Sequence, residues 1–113
     1  LLSAYVECAL WSSTDEDGEA LDAVYTVDDL APEALASMQA ECEDFVALLE
    51  QESIDWSDWS DEQLGHDFWL TRNGHGAGFW DRGYALGDRL TALCKPYGSS
   101  DLYVDEDGSV YVT

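Results

Sequence analysis

Leu35, Met38, Cys42, Phe45, Val46 and Leu49 recur at three- and four-residue steps, and this apolar stripe predicts a helix from Pro32 to Gln51. Asp29 lies in its N-cap region, Pro32 suits the first turn, and Glu33 favours the positive helix end. Residues 3–12, SAYVECALWS, predict a shorter helix with Tyr5, Val6, Ala9 and Leu10 on one face and Glu7 outside. Residues 21–27, LDAVYTV, are β-branched and aromatic enough for a short strand or an irregular connection. Beyond Gly65 the pattern alternates on both sides of Asn73-Gly74-His75-Gly76, which predicts a β-hairpin with arms Phe68–Arg72 and Gly78–Arg82. A helix over residues 84–95 follows, buried through Leu86, Leu90, Leu93 and Cys94 and ended by Pro96 and Gly98. DLYV and SVYV, joined through Asp107-Gly108, form a second hairpin over residues 101–112.

Together these elements give an α+β domain, with N-terminal helices packed against a small antiparallel sheet built from two β-hairpins flanking a helix. At 113 residues the chain is expected to be one acidic domain, mainly helical over residues 1–64 and hairpin-helix-hairpin over residues 65–113. The apolar runs are a few residues long, so no membrane span is expected. The first residues show no basic and apolar leader pattern, and a cytoplasmic protein is expected. Cys8, Cys42 and Cys94 are odd in number and widely spaced, as for buried thiols in a reducing compartment.

Charge changes the picture most. Four Lys and Arg stand against 25 Asp and Glu, for a formal charge of −21. The chain is electrically segmented. Residues 1–71 hold 19 acids and no Lys or Arg, while Arg72, Arg82, Arg89 and Lys95 all fall within residues 72–100. A folded monomer of this mass exposes roughly 6,000 Å². If those 19 acids share a third to a half of that surface, their density is about one charge per 105–160 Å². B-DNA presents about one per 110 Å². Such a surface excludes phosphate neutralisation as a binding mode, so neither nucleic acid nor anionic lipid is a direct ligand. It fits instead a negatively charged decoy for a basic protein surface.

The carboxylates expected to meet that partner are Glu41, Glu43, Asp44, Glu50 and Glu52 of the central helix, followed by Asp55, Asp58, Asp61 and Glu62 of the segment DWSDWSDEQ. None of the helix acids has a basic residue at i+4 to offset repulsion. In the repeated Asp-Trp-Ser segment, Asp55, Asp58 and Asp61 align on one face if it is helical or turn-like. Trp56 and Trp59 then either pack on the neighbouring helix or supply contact area for the partner.

Other chemistry is poorly supported. The acidic loop around Gly18 puts Val24 where a calcium loop needs a bidentate Glu. NGHGAG lacks the Gly-Lys-Ser/Thr of a phosphate loop, and no nucleophile motif is present, so no cofactor, metal or catalytic residue is expected. His66 and His75, with Asp67 and Asp81, leave a small enzyme or metal-binding protein as an alternative, and a salt-adapted acidic interaction module is another. Arg72 and Arg82 are expected to pair with Asp67 or Asp81 in a structural role.

The string DFWLTRNGHGAGFWDRG at residues 67–83, followed by LGDRL and DLYVDEDGSVYV, resembles a group of small proteins encoded by bacteriophages and mobile elements. The resemblance covers roughly the C-terminal half. In charge and size the acidic first half is similar to anti-CRISPR and anti-restriction DNA mimics. These likenesses imply a non-enzymatic inhibitor that occupies the DNA- or RNA-binding surface of a host defence complex in the bacterial cytoplasm.

Overall fold

A computed structural model describes residues 1–14, 18–56, 59–74 and 87–113. Its helices are α1 (Leu2–Ser12), α2 (Pro32–Gln51), α3 (Asp61–Arg72) and α4 (Gly87–Cys94), followed by strands β1 (Leu102–Val104) and β2 (Val110–Val112). The fold is α+β, with N-terminal helices packed on a small antiparallel sheet. α2 has the bounds its periodicity predicts, with Met38, Cys42, Phe45 and Leu49 turned inward. Ala31 occupies its N-cap and donates its N–H to the Val110 carbonyl (2.9 Å). Asp29 serves one element earlier: its carboxylate accepts from the Thr26 N–H (2.8 Å), closing a capping box on a 3-10 turn over Val27–Asp29. LDAVYTV forms no strand; Leu21–Ala23 is another 3-10 turn.

The expected first hairpin is corrected. Its arm Phe68–Arg72 is the C-terminal half of α3, and the other arm, Gly78–Arg82, lies outside the described residues. The cause lies upstream. The Ser60 hydroxyl accepts the Gln63 N–H (3.1 Å), and Asp61 and Glu62 occupy the positive first turn, so the helix starts well before the aromatic run. Gly74, at φ +69°, is the left-handed stop after that helix and not the second residue of a hairpin turn. The helical part therefore continues past residue 64 to Arg72. α4 is described from Gly87, residues 84–86 of the expected helix lying outside the described residues, and it runs into a 3-10 turn, Lys95–Tyr97, so Pro96 tightens the helix end before Gly98 (φ +68°) stops it.

The C-terminal hairpin forms as expected, with Leu102 facing Val112, Tyr103 facing Tyr111 and Val104 facing Val110. Gly108 (φ +81°) sits in its turn, and Leu30 bridges β2 on the far side.

The core is an aromatic stack where three helices meet. Phe45 of α2 lies parallel to Phe68 of α3 at 4.1 Å, and Phe68 stacks on Tyr5 of α1 at 5.0 Å. Trp69 meets Tyr5 edge-on at 5.3 Å and donates its indole N–H to the Ser12 hydroxyl (2.8 Å). Tyr97 closes the other side, edge-on to Phe68 at 4.9 Å. All three cysteines are buried and outside any disulfide, and burial pushes Cys42 and Cys94 up to about 12. Among the described residues no helix is long and apolar enough to cross a membrane.

Candidate functional site

With its apolar stripe committed to the core, α2 turns its remaining positions outward. The outermost ridge is Ala36, Ala40 and Ala47, and carboxylates flank it instead of covering it. Glu43 and Glu50 fall on one flank, two turns apart, which is about 10 Å along the axis. Asp44 falls on the other. Glu43 accepts from the Gln39 amide (3.2 Å), and Asp44 accepts the Tyr97 hydroxyl proton (2.6 Å). Burial, then that hydrogen bond to a carboxylate, holds Tyr97 well above the ordinary phenol range.

Glu41 does not belong to this surface. It is three residues after Met38 and four before Phe45, so it stands at the margin of the buried stripe and faces inward. One of its oxygens meets Arg72 Nη1, and the other accepts the Tyr5 hydroxyl (3.2 Å). Arg72 also donates to the Tyr5 oxygen (2.9 Å), the Gly98 carbonyl (3.0 Å) and the Tyr97 carbonyl (2.8 Å), with its guanidinium 5.6 Å from the Tyr97 ring centre. Burial alone would draw the Arg72 pKa down, but its bonds to Glu41 and Tyr5 carry it above the usual value. Tyr5 is pushed far up by burial, with Arg72 opposing. The expected pairing of Arg72 with Asp67 is thus replaced by one with Glu41, a partner no local spacing pointed to. Arg82 and Asp81 lie outside the described residues.

The other expected site residues divide by position. Glu52 follows α2 and is partly neutralised by Arg89, which approaches at 3.9 Å and donates to the Glu52 carbonyl (3.1 Å). Both side chains are about half-exposed, so the pair contributes little to stability. Asp55 is exposed in the irregular connection, while Asp61 and Glu62 open α3, where the helix dipole favours them. Asp58 lies outside the described residues. Asp55 and Asp61 therefore sit on different elements and not on one helical face. Trp59 is buried and Trp56 packs partly against the core, so these indoles hold the connection in place.

Glu43 and Glu50 also line a groove of about 470 Å³ whose other walls are mainly apolar: Leu1, Leu2, Cys42, Val46 and Ala47. Apart from Glu41, Glu52 and Asp67, every Asp and Glu among the described residues is exposed. The described cations are Arg72, which is buried, and Arg89 and Lys95, which are exposed. His66 is half-buried on α3, with its carbonyl 3.7 Å from the Cys8 thiol, and His75 lies outside the described residues. Among the described residues no group of three His, Cys, Asp or Glu is placed to hold a metal ion. A second cleft, between α1 and residues 22–28 and lined by Glu7, Asp22, Tyr25 and Asp28 among others, had no signal in the sequence because it joins separate segments. Comparison with protein-family models, with curated proteins and with solved structures finds no match.

Proposed function

We propose that this protein is a nucleic-acid mimic: an anti-defence inhibitor of phage or mobile-element origin that covers a basic DNA- or RNA-binding surface of a host complex. The observation that carries the reading is the near-complete exposure of the carboxylates among the described residues, where the one buried cation, Arg72, is taken up by Glu41. The contact residues are Glu43, Asp44, Glu50, Asp55, Asp61 and Glu62, with Asp58 beside them in sequence. Glu52 takes part only weakly because Arg89 shares it. The resemblance of residues 67–83 to phage and mobile-element proteins supports the source.

The mechanism is competitive. A field of like charges speeds encounter with a basic groove, and it is screened over about 10 Å at about 0.1 M salt. Once docked, the carboxylates take the phosphate positions on Lys and Arg side chains. The apolar groove beside Glu43 and Glu50 adds contact area that a phosphate backbone lacks.

Reversing Glu43, Glu50, Asp61 and Glu62 to Lys is expected to weaken binding to a nucleic-acid-binding complex captured from bacterial lysate about 100-fold, or about 3 kcal/mol. The melting temperature should change little, because the relief of repulsion is offset by two Lys side chains at the positive end of α3. The same charge change at Glu33, Asp88, Asp101 and Glu106 should cost much less. Equal losses from both sets would leave net charge, and not this face, as the determinant.

A further inference from the structure

The groove of about 470 Å³ lies between the start of α1 and the middle of α2. Its apolar walls are the half-buried side chains of Leu1, Leu2 and Val46, together with the buried Cys42 and the exposed Ala47. The α2 residues that line it run from Gln39 to Glu50, about 16 Å of helix axis. Glu43 and Glu50 are its charged members, both exposed and two turns apart, and among the described residues it holds no Lys or Arg.

Mimicry of a phosphate backbone accounts for the two carboxylates and not for the apolar walls between α1 and α2. Those walls stay in contact with water, and an apolar side chain laid on them removes that surface from solvent. The volume falls within the range of sites that bury most of a ligand. Both walls belong to helices tied through the aromatic core, so the groove exists before any partner arrives.

We infer that this groove seats an amphipathic helix of the basic partner, with apolar side chains against Leu1, Leu2 and Val46 and with Lys or Arg against Glu43 and Glu50. Charge complementarity selects the occupant. A second copy of a chain of formal charge −21 brings only repulsion, as does an anionic amphiphile. Spacing selects its form. A helix lying along α2 has the same pitch, so cations at i and i+7 on one edge meet two carboxylates spaced alike, and the apolar stripe beside that edge faces the groove. The aliphatic stems of Lys and Arg cover apolar wall while their charged heads reach the carboxylates. The inference rests on the reading that the partner is a basic protein, and it names the element by which that partner is held.

The probe is a capped Leu/Lys peptide about four helical turns long, with leucines at i, i+3, i+4 and i+7 spacing, titrated by calorimetry into the full chain at about 150 mM salt. It should bind saturably, and at least about tenfold more tightly than a peptide of the same residues shuffled to leave no apolar face. The two peptides carry the same charge, so the difference reads the groove alone. Val46→Thr with Ala47→Gln leaves the charge unchanged and should remove most of that preference. Ala47→Gln by itself, at an exposed helix position where folding is spared, should lower it severalfold. Equal binding of the two peptides, or a preference that both variants keep in full, would overturn the inference. The double variant should also hold the complex captured from bacterial lysate more weakly than the unaltered protein does. If it holds that complex equally well while reversal of Glu43, Glu50, Asp61 and Glu62 loses it, the reading of the acidic face survives and the helix site does not.

Discussion

Arg72→Met is expected to destabilise the fold by about 3–5 kcal/mol, the usual cost of removing one partner from a buried ion pair. For a domain of this size that lowers the melting temperature by more than about 10 °C. Arg72 ties α3 to the Glu41 carboxylate of α2, the Tyr5 hydroxyl of α1, and the Gly98 and Tyr97 carbonyls after α4. Its loss strands a partly buried carboxylate and leaves two carbonyls and a phenol without their donor. Glu41 keeps a side-chain exposure of 25%, which lets water relieve part of the penalty and favours the lower end of the range. Arg72→Lys should recover little, because one ammonium cannot span four acceptors spread around a planar fork. Glu41→Gln keeps the shape and an acceptor, so it should cost only about 1–2 kcal/mol. Urea unfolding of the two single variants and their double mutant gives the coupling energy directly. A loss below about 1 kcal/mol for Arg72→Met would contradict this account of how the helices are held.

Gly65→Ala is the second large effect, and its sign opposes helix propensity. Exchanging a mid-helix Gly for Ala ordinarily stabilises by up to about 1 kcal/mol. Here a methyl group would lie 2.5 Å from the Leu1 carbonyl oxygen, 3.0 Å from the Tyr5 nitrogen and 3.3 Å from the Ala4 Cβ. The first two are backbone atoms, bonded to each other in the opening turn of α1 (3.0 Å), so no side-chain rotation relieves the clash. α1 and α3 must move apart, loosening the Tyr5–Phe68 stack and the Trp69–Ser12 hydrogen bond together. We expect a net loss of about 2–3 kcal/mol in thermal or urea unfolding, and a larger one for Gly65→Val. A variant more stable than the parent would place this helix crossing wrongly.

What was legible in the sequence follows from how each element is stabilised. α2 has one buried stripe and a polar remainder, so periodicity gives its bounds; the C-terminal hairpin has alternation and an Asp-Gly turn. α3 was hidden because it is buried on most sides: Leu64, Gly65, Asp67, Phe68, Trp69, Leu70 and Arg72 are all buried, which erases amphipathic contrast. Its aromatic run then imitates a strand, and Asn73-Gly74 imitates a hairpin turn. At the candidate site, exposure of Glu43, Glu50, Asp61 and Glu62 could be read from pattern. The place of Glu41 at the margin of the buried stripe could be read as well, but its partner could not, because Arg72 lies 31 residues away and reaches it only through the tertiary fold.

The central claim is that the exposed acids substitute for nucleic acid, and competition tests it most directly. The full chain, immobilised, is used to capture protein from bacterial lysate at about 50 mM and about 500 mM salt, with duplex DNA or RNA as competitor. The account predicts recovery of a nucleic-acid-binding complex at low salt, its loss at high salt, and its displacement by the competing strand in proportion to concentration. A captured complex that still binds its nucleic acid while holding this protein, or one retained equally at both salt concentrations, would contradict it.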